Sequence, residues 1–115
     1  MRALIIEPQI FTSFMIEDAL RDAGFTSIVM ATTEEEAVAS AEAEPPDLVT
    51  SAVELDRGSG IRAVERIRSK IEVPVLFITE HIRQVKARDP EAAIVKKPFV
   101  AAHLPPAIAA AKAGG

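Results

Sequence analysis

A chain of 115 residues suits one hydrophobic core, which usually covers roughly 100–150 residues. An apolar share of 49% with 26% charged residues is that of an ordinary globule, and a net charge of −4 argues against general nucleic-acid binding, which leans on clustered cations. There is no cysteine, which excludes disulfides and thiolate metal sites and fits a cytoplasmic protein; no run approaches the ~20 apolar residues that span a bilayer, so no membrane role is expected.

Apolar runs and helical patterns alternate along the chain, the signature of βα units around a parallel sheet. Ala3–Ile6 reads as a short apolar strand, ended too soon by Glu7 to be a signal peptide. A helix follows from about Phe11 to Ala23, with Ile16, Ala19, Leu20 and Ala23 at i, i+3, i+4, i+7 and Gly24 as its stop. Ser27–Ala31 is the second strand, and Thr33-Glu34-Glu35-Glu36 is a capping-box sequence opening a helix over Ala37–Glu44. After the turn Pro45-Pro46-Asp47, Leu48–Ala52 is the third strand; Gly58-Ser59-Gly60 turns into a helix from Ile61 to about Lys70, striped by Ile61, Val64, Ile67 and Arg68.

Val73–Thr79 is the clearest buried strand and Ala92–Val95 the fifth, with a short or distorted helix expected over the weakly patterned Glu80–Pro90. Pro105 and Pro106 cannot sit inside a helix but are tolerated in a first turn, so the last helix is expected to begin near Leu104 and run through Ala107–Ala113. The expected fold is a single α/β domain over residues 1–115: a doubly wound, flavodoxin-like sheet of five parallel strands, order 2-1-3-4-5, helices on both faces. Ala52 ends the third strand, where side chains of such a sheet project into the ligand crevice. A β-carboxylate there could be phosphorylated; a methyl group cannot.

In order, Leu4-Ile5-Ile6-Glu7, Pro45-Pro46-Asp47-Leu48-Val49, Gly58-Ser59-Gly60-Ile61, Val73–Thr79 and Lys97-Pro98-Phe99 give the chain a resemblance to bacterial response-regulator receiver domains over nearly its whole length. Phe77-Ile78-Thr79 and the shortened Glu80–Pro90 segment look like the atypical alphaproteobacterial receivers, including stand-alone ones and those of general-stress regulators. The resemblance implies two acids after strand one, matched by Glu7 and Pro8; an acceptor aspartate after strand three, matched by Ala52; a hydroxyl after strand four, matched by Thr79; and a lysine after strand five, matched by Lys97. It implies switch positions at Thr79 and Ile94 and a cis Lys97–Pro98 peptide that aims Lys97 inward.

An aspartyl nucleophile would form an acyl phosphate beside a carboxylate-held Mg²⁺. With Ala52 and Pro8 in place, no cofactor is expected and Mg²⁺ binding should be weak or absent. Glu7 is either a residual cation ligand or a carboxylate paired with Lys97, which has lost its aspartate. Thr79 either gates a loop or bonds the local backbone. Glu54 and Asp56 lie beyond the strand end as solvated loop acids, Ser51 points to the face opposite Ala52, and His81 and His103 are surface residues without metal-ligand spacing. Arg83, Lys86, Arg88, Lys96 and Lys97 gather around the fourth crossover, as a solvated face or a site for phosphate or an acidic partner.

Met15 falls outside the Ile16/Leu20 stripe, near Phe11 and Phe14, either as a partner-docking surface or as a slightly rotated core face. The reading is a non-enzymatic, phosphorylation-independent module of two-component or stress signalling, its partner a histidine kinase, phosphotransfer protein or stress regulator, with a homodimer possible. Two alternatives stand beside it. One is a competent stand-alone receiver whose acceptor was replaced by an engineered alanine, against which Pro8 speaks. The other is a small flavodoxin-like nucleotide or flavin binder, against which the glycine-free Glu7-Pro8-Gln9-Ile10 loop speaks.

Overall fold

The computed structural model describes residues 1–114 and alternates strands and helices throughout. The elements are β1 (Arg2–Ile6), α1 (Ile10–Asp22), β2 (Ser27–Ala31), α2 (Glu34–Ala43), β3 (Leu48–Ser51), α3 (Gly60–Arg68), β4 (Val75–Thr79), α4 (Ile82–Arg88), β5 (Ala93–Lys96) and α5 (Leu104–Gly114), the last preceded by a 3-10 turn over Ala101–His103. All five strands are parallel in the order β2-β1-β3-β4-β5, as the sequence pattern predicts.

The central strands are apolar because helices cover them on both sides. On one face Leu4, Ile6, Val49 and Phe77 pack beneath α2, α3 and α4 through Ala37, Val64, Ile67 and Val85. On the other, Ile5, Leu48, Leu76 and Ile78 meet Ile16 and Leu20 of α1 and Leu104 and Ile108 of α5. Alternation along each strand sorts its residues between these layers.

Element ends differ from expectation by one to three residues, for local reasons. α2 begins at Glu34 because Thr33 itself is the N-cap, its hydroxyl accepting from the Glu36 N–H at 3.1 Å. The reciprocal half of the box is displaced: the Glu36 carboxylate accepts from the Thr32 N–H at 2.9 Å, not from the cap residue. In α3 the expected stripe needs correction at Arg68, which is exposed and reaches Asp89, while Ala63 joins the core. The fourth helix is short, seven residues, and α5 carries both prolines in its first turn.

Candidate functional site

Four strand ends converge along one edge of the sheet. The Ala52 N–H donates to the Ile6 carbonyl at 2.9 Å and the Lys97 N–H to the Thr79 carbonyl at 3.0 Å, so Glu7, Ala52 and Lys97 sit one step past β1, β3 and β5, and Thr79 ends β4. Ala52 is 3% exposed and presents its methyl group there. The Lys97–Pro98 peptide is cis.

Glu7 is buried, 2% exposed, and Lys97 Nζ donates to its Oε1 at 2.7 Å. Its other oxygen accepts from the Gln9 N–H at 3.2 Å. Both carboxylate oxygens are thus engaged within the protein, which is the pairing arm of the two roles expected for Glu7. A buried carboxylate without a cation would be costly, and so would the ammonium alone. Mg²⁺ asks for several hard oxygen ligands. This donor set does not fit it: Glu7 is occupied, Pro8 and Ala52 have no side-chain oxygen, and among the described residues no three His, Asp or Glu side chains are grouped for a metal.

Thr79 is buried, and its hydroxyl accepts from the His81 N–H at 2.9 Å, closing the turn into α4. Ile94 is half-buried against the α3–α4 side of the core. Ser51 directs its hydroxyl to the Ala52 carbonyl at 2.8 Å. Gly60 packs on that carbonyl so closely that a β-carbon would lie 1.6 Å from the oxygen.

Two arrangements escaped the sequence reading. His81, expected on the surface, is half-buried, and its Nε2 lies 2.9 Å from Glu54 Oε1 and 3.6 Å from Glu80 Oε1, bridging the β3–α3 and β4–α4 loops. No spacing rule reaches across two loops, so nothing in the sequence marks it. Glu34, read only as a capping residue, is buried and accepts from the Ser59 N–H at 3.1 Å and from Arg66 at 2.8 Å. The Ser59 N–H and the Arg66 guanidinium hold its carboxyl below the ordinary value against the opposing pull of burial. Backbone bonds Glu34 N–H to Arg57 carbonyl and Asp56 N–H to Thr32 carbonyl, both 3.0 Å, complete the fastening of the β3–α3 loop to the start of α2. The Gly58-Ser59-Gly60 turn was the available signal: Gly58, at φ +79°, lies against the Glu34 side chain.

The remaining predicted residues are dispersed. Glu54 and Asp56 are exposed loop acids, and His103 is exposed, its Nδ1 accepting from the Val100 N–H at 3.4 Å. The five cations do not form one cluster. Lys97 turns inward to Glu7 and Arg88 binds Glu65 at 2.7 Å, leaving Arg83, Lys86 and Lys96 exposed. On α1, Phe11, Phe14 and Met15 are 80%, 47% and 39% exposed, so this face is not a rotated core face; Ile10 of the same helix is exposed as well.

A family model described as "Response regulator receiver domain" matches residues 3–109. The chain is 35% identical over 111 residues to the transcriptional regulatory protein PdtaR of Mycobacterium tuberculosis, covering 93% of this chain and 54% of PdtaR. It is 35% identical over 105 residues to the phyllosphere-induced regulator PhyR of Methylorubrum extorquens, covering 88% of this chain and 39% of PhyR. The solution structure of the PhyR response regulator REC domain of Erythrobacter litoralis superposes with a TM-score of 0.86 at 35% identity, covering 96% of this chain and 88% of that one. The chain spans about half or less of the length of these curated relatives.

Proposed function

The chain belongs to the response regulator receiver domain family, and from that premise we propose that it is a receiver without a phosphoacceptor, working by phosphorylation-independent protein–protein interaction in two-component or stress signalling. The observation that carries this is the buried Ala52 methyl group beside a crevice whose carboxylate and ammonium, Glu7 and Lys97, already satisfy one another at 2.7 Å. An acyl phosphate needs a carboxylate nucleophile and a metal to neutralise the transferring oxygens. Neither the nucleophile nor the metal ligands are supplied here, so Mg²⁺ binds weakly or not at all and the domain is not an enzyme.

Partner binding then shifts, or simply recognises, one conformation. The PhyR and PdtaR likenesses support a signalling partner: a histidine kinase, a phosphotransfer protein or a stress regulator. The exposed Phe11, Phe14 and Met15 are the surface assigned to it, as apolar groups of this size at one helix face dock a partner helix.

Incubation with acetyl phosphate and Mg²⁺, followed by intact-mass measurement, tests the reading. No phosphate should be added, Ala52→Asp should restore labelling weakly, and Ala52→Asp with Pro8→Asp should strengthen it. Phosphate on Glu54 or Asp56 of the unaltered protein overturns the proposal. A folded double variant that stays inert overturns the assignment of Pro8 and Ala52 to the site.

A further inference from the structure

The two edges of the sheet are built differently. Among the described residues β2 and β5 each pair with one strand only. β5 carries Lys96 and runs on into Lys97, and lysine on an edge strand discourages pairing with another chain. β2, the run Ser27-Ile28-Val29-Met30-Ala31, has no charged residue and no proline, and its register with β1 is unbroken. Its three central residues are apolar and half-buried.

The direction of its backbone groups follows from the ladder. The Ser27 N–H donates to the Met1 carbonyl at 3.3 Å, and the Ala31 carbonyl accepts from the Glu7 N–H at 2.9 Å. In a parallel pair, alternate residues bond to the same neighbour, so Ser27, Val29 and Ala31 turn their polar groups to β1. Ile28 and Met30 therefore turn theirs outward. Small residues flank that side. Glu35 and Glu42 of α2 reach Arg66 and Lys70 of α3, so the flank of α2 beside β2 is the opposite one, which carries Ser40. On the other face, Ala19 of α1 packs in the same layer as Ile28 and Met30.

We propose that two copies of this chain pair antiparallel through their β2 edges. A two-fold axis at Val29 sets Ile28 opposite Met30 of the second copy, and Met30 opposite its Ile28. In an antiparallel ladder such facing residues exchange both N–H and C=O bonds, while Val29 meets its own copy in the close pair between them. The outward groups of Ile28 and Met30 are thereby all satisfied. This self-complementarity selects a second copy as the occupant, because an isologous contact offers each group its own counterpart and closes at two. The axis stands perpendicular to the sheet, so both α1 helices lie on one side of a sheet continuous through the pair. None of these residues belongs to the crevice or to the surface formed by Phe11, Phe14 and Met15. The proposal therefore stands or falls separately from the function proposed above.

The test is sedimentation equilibrium with amide hydrogen exchange on the full chain. Concentrations should reach about 1 mM, since so short a contact is expected to give a Kd on the order of 0.1 mM. A monomer–dimer equilibrium is expected, in which the Ile28 and Met30 amides gain protection with concentration while those of Val29 and Ala31 are protected throughout. Met30→Pro removes an outward N–H and no bond of the fold, as proline is accepted on an edge strand where its nitrogen faces water. It takes one hydrogen bond from each copy and should raise the dimer Kd about tenfold or more. Should that variant lose its fold, Val29→Lys, which brings two ammonium groups together on the axis, takes its place with the same expectation.

A chain that stays monomeric at the highest concentration overturns the proposal. So does a dimer that the folded variant leaves intact, or one whose newly protected amides lie outside residues 27–31. Protection of Ile28 and Met30 that appears only when a strand-forming peptide is added would make another chain the occupant, and overturns it equally.

Discussion

Glu7 and Lys97 illustrate how opposite charges brought together at strand ends satisfy one another. An ammonium at the end of β5 needs an anion, and the carboxylate across the sheet, 2.7 Å away, is that anion. Glu7 is nearly wholly buried whereas the Lys97 side chain is 24% exposed, so the two do not depend on each other equally. Removing Lys97 strands a buried charge; removing Glu7 leaves an ammonium that can turn to water. Lys97→Ala is therefore expected to cost about 3 kcal/mol in urea unfolding, and Glu7→Gln clearly less. A double-mutant cycle on the pair should give a coupling of more than ~0.5 kcal/mol. If both single variants cost the same and their effects add, the two side chains are not energetically a pair.

At the scale of elements, the β3–α3 loop is held from both of its ends. Gly60 lies on the Ala52 carbonyl, where a β-carbon would also sit 2.6 Å from Ser51 Oγ. Neither obstacle is the far end of a flexible side chain, so Gly60→Ala must displace backbone and should cost about 3 kcal/mol or prevent folding, measured by thermal unfolding. The other fastening is Glu34, and its sign is fixed by direction. Its folded-state carboxyl lies below the ordinary 4.5, so its contribution is complete above that value and fades as pH falls through the lower folded one. Glu34→Gln should remove about 1–2 kcal/mol at neutral pH, a figure restrained by the half-exposed Arg66, and should flatten the acid limb of the stability curve below about pH 5. An unchanged acid limb would mean that Ser59 and Arg66 are indifferent to the charge. The strands and helices were legible in the sequence because apolar period alone dictates them: Val75–Thr79 and the Ile16/Leu20 face needed no tertiary information. Glu7 with Lys97 was legible once strand ends were placed, since an inward lysine requires a partner. Glu34 and the His81–Glu54 bridge were not, because each joins segments whose adjacency exists only in the folded sheet.

For the whole molecule, the five-stranded sheet sets the exposed Phe11, Phe14 and Met15 of α1 on one side and α2, α3 and α4 on the other. Met15→Glu adds a charge where water already reaches, so stability should stay within about 0.5 kcal/mol. Recovery of the partner by co-purification from native extract should nonetheless fall, since a carboxylate would have to be buried beside two phenylalanines in the bound state. The β3–α3 loop, fastened to α2, lies on the opposite face of the sheet from α1. Met15→Glu combined with Glu34→Gln should therefore add their separate losses of stability to within about 0.5 kcal/mol, and non-additive losses in urea unfolding would mean that the α1 face and the loop are coupled across the sheet.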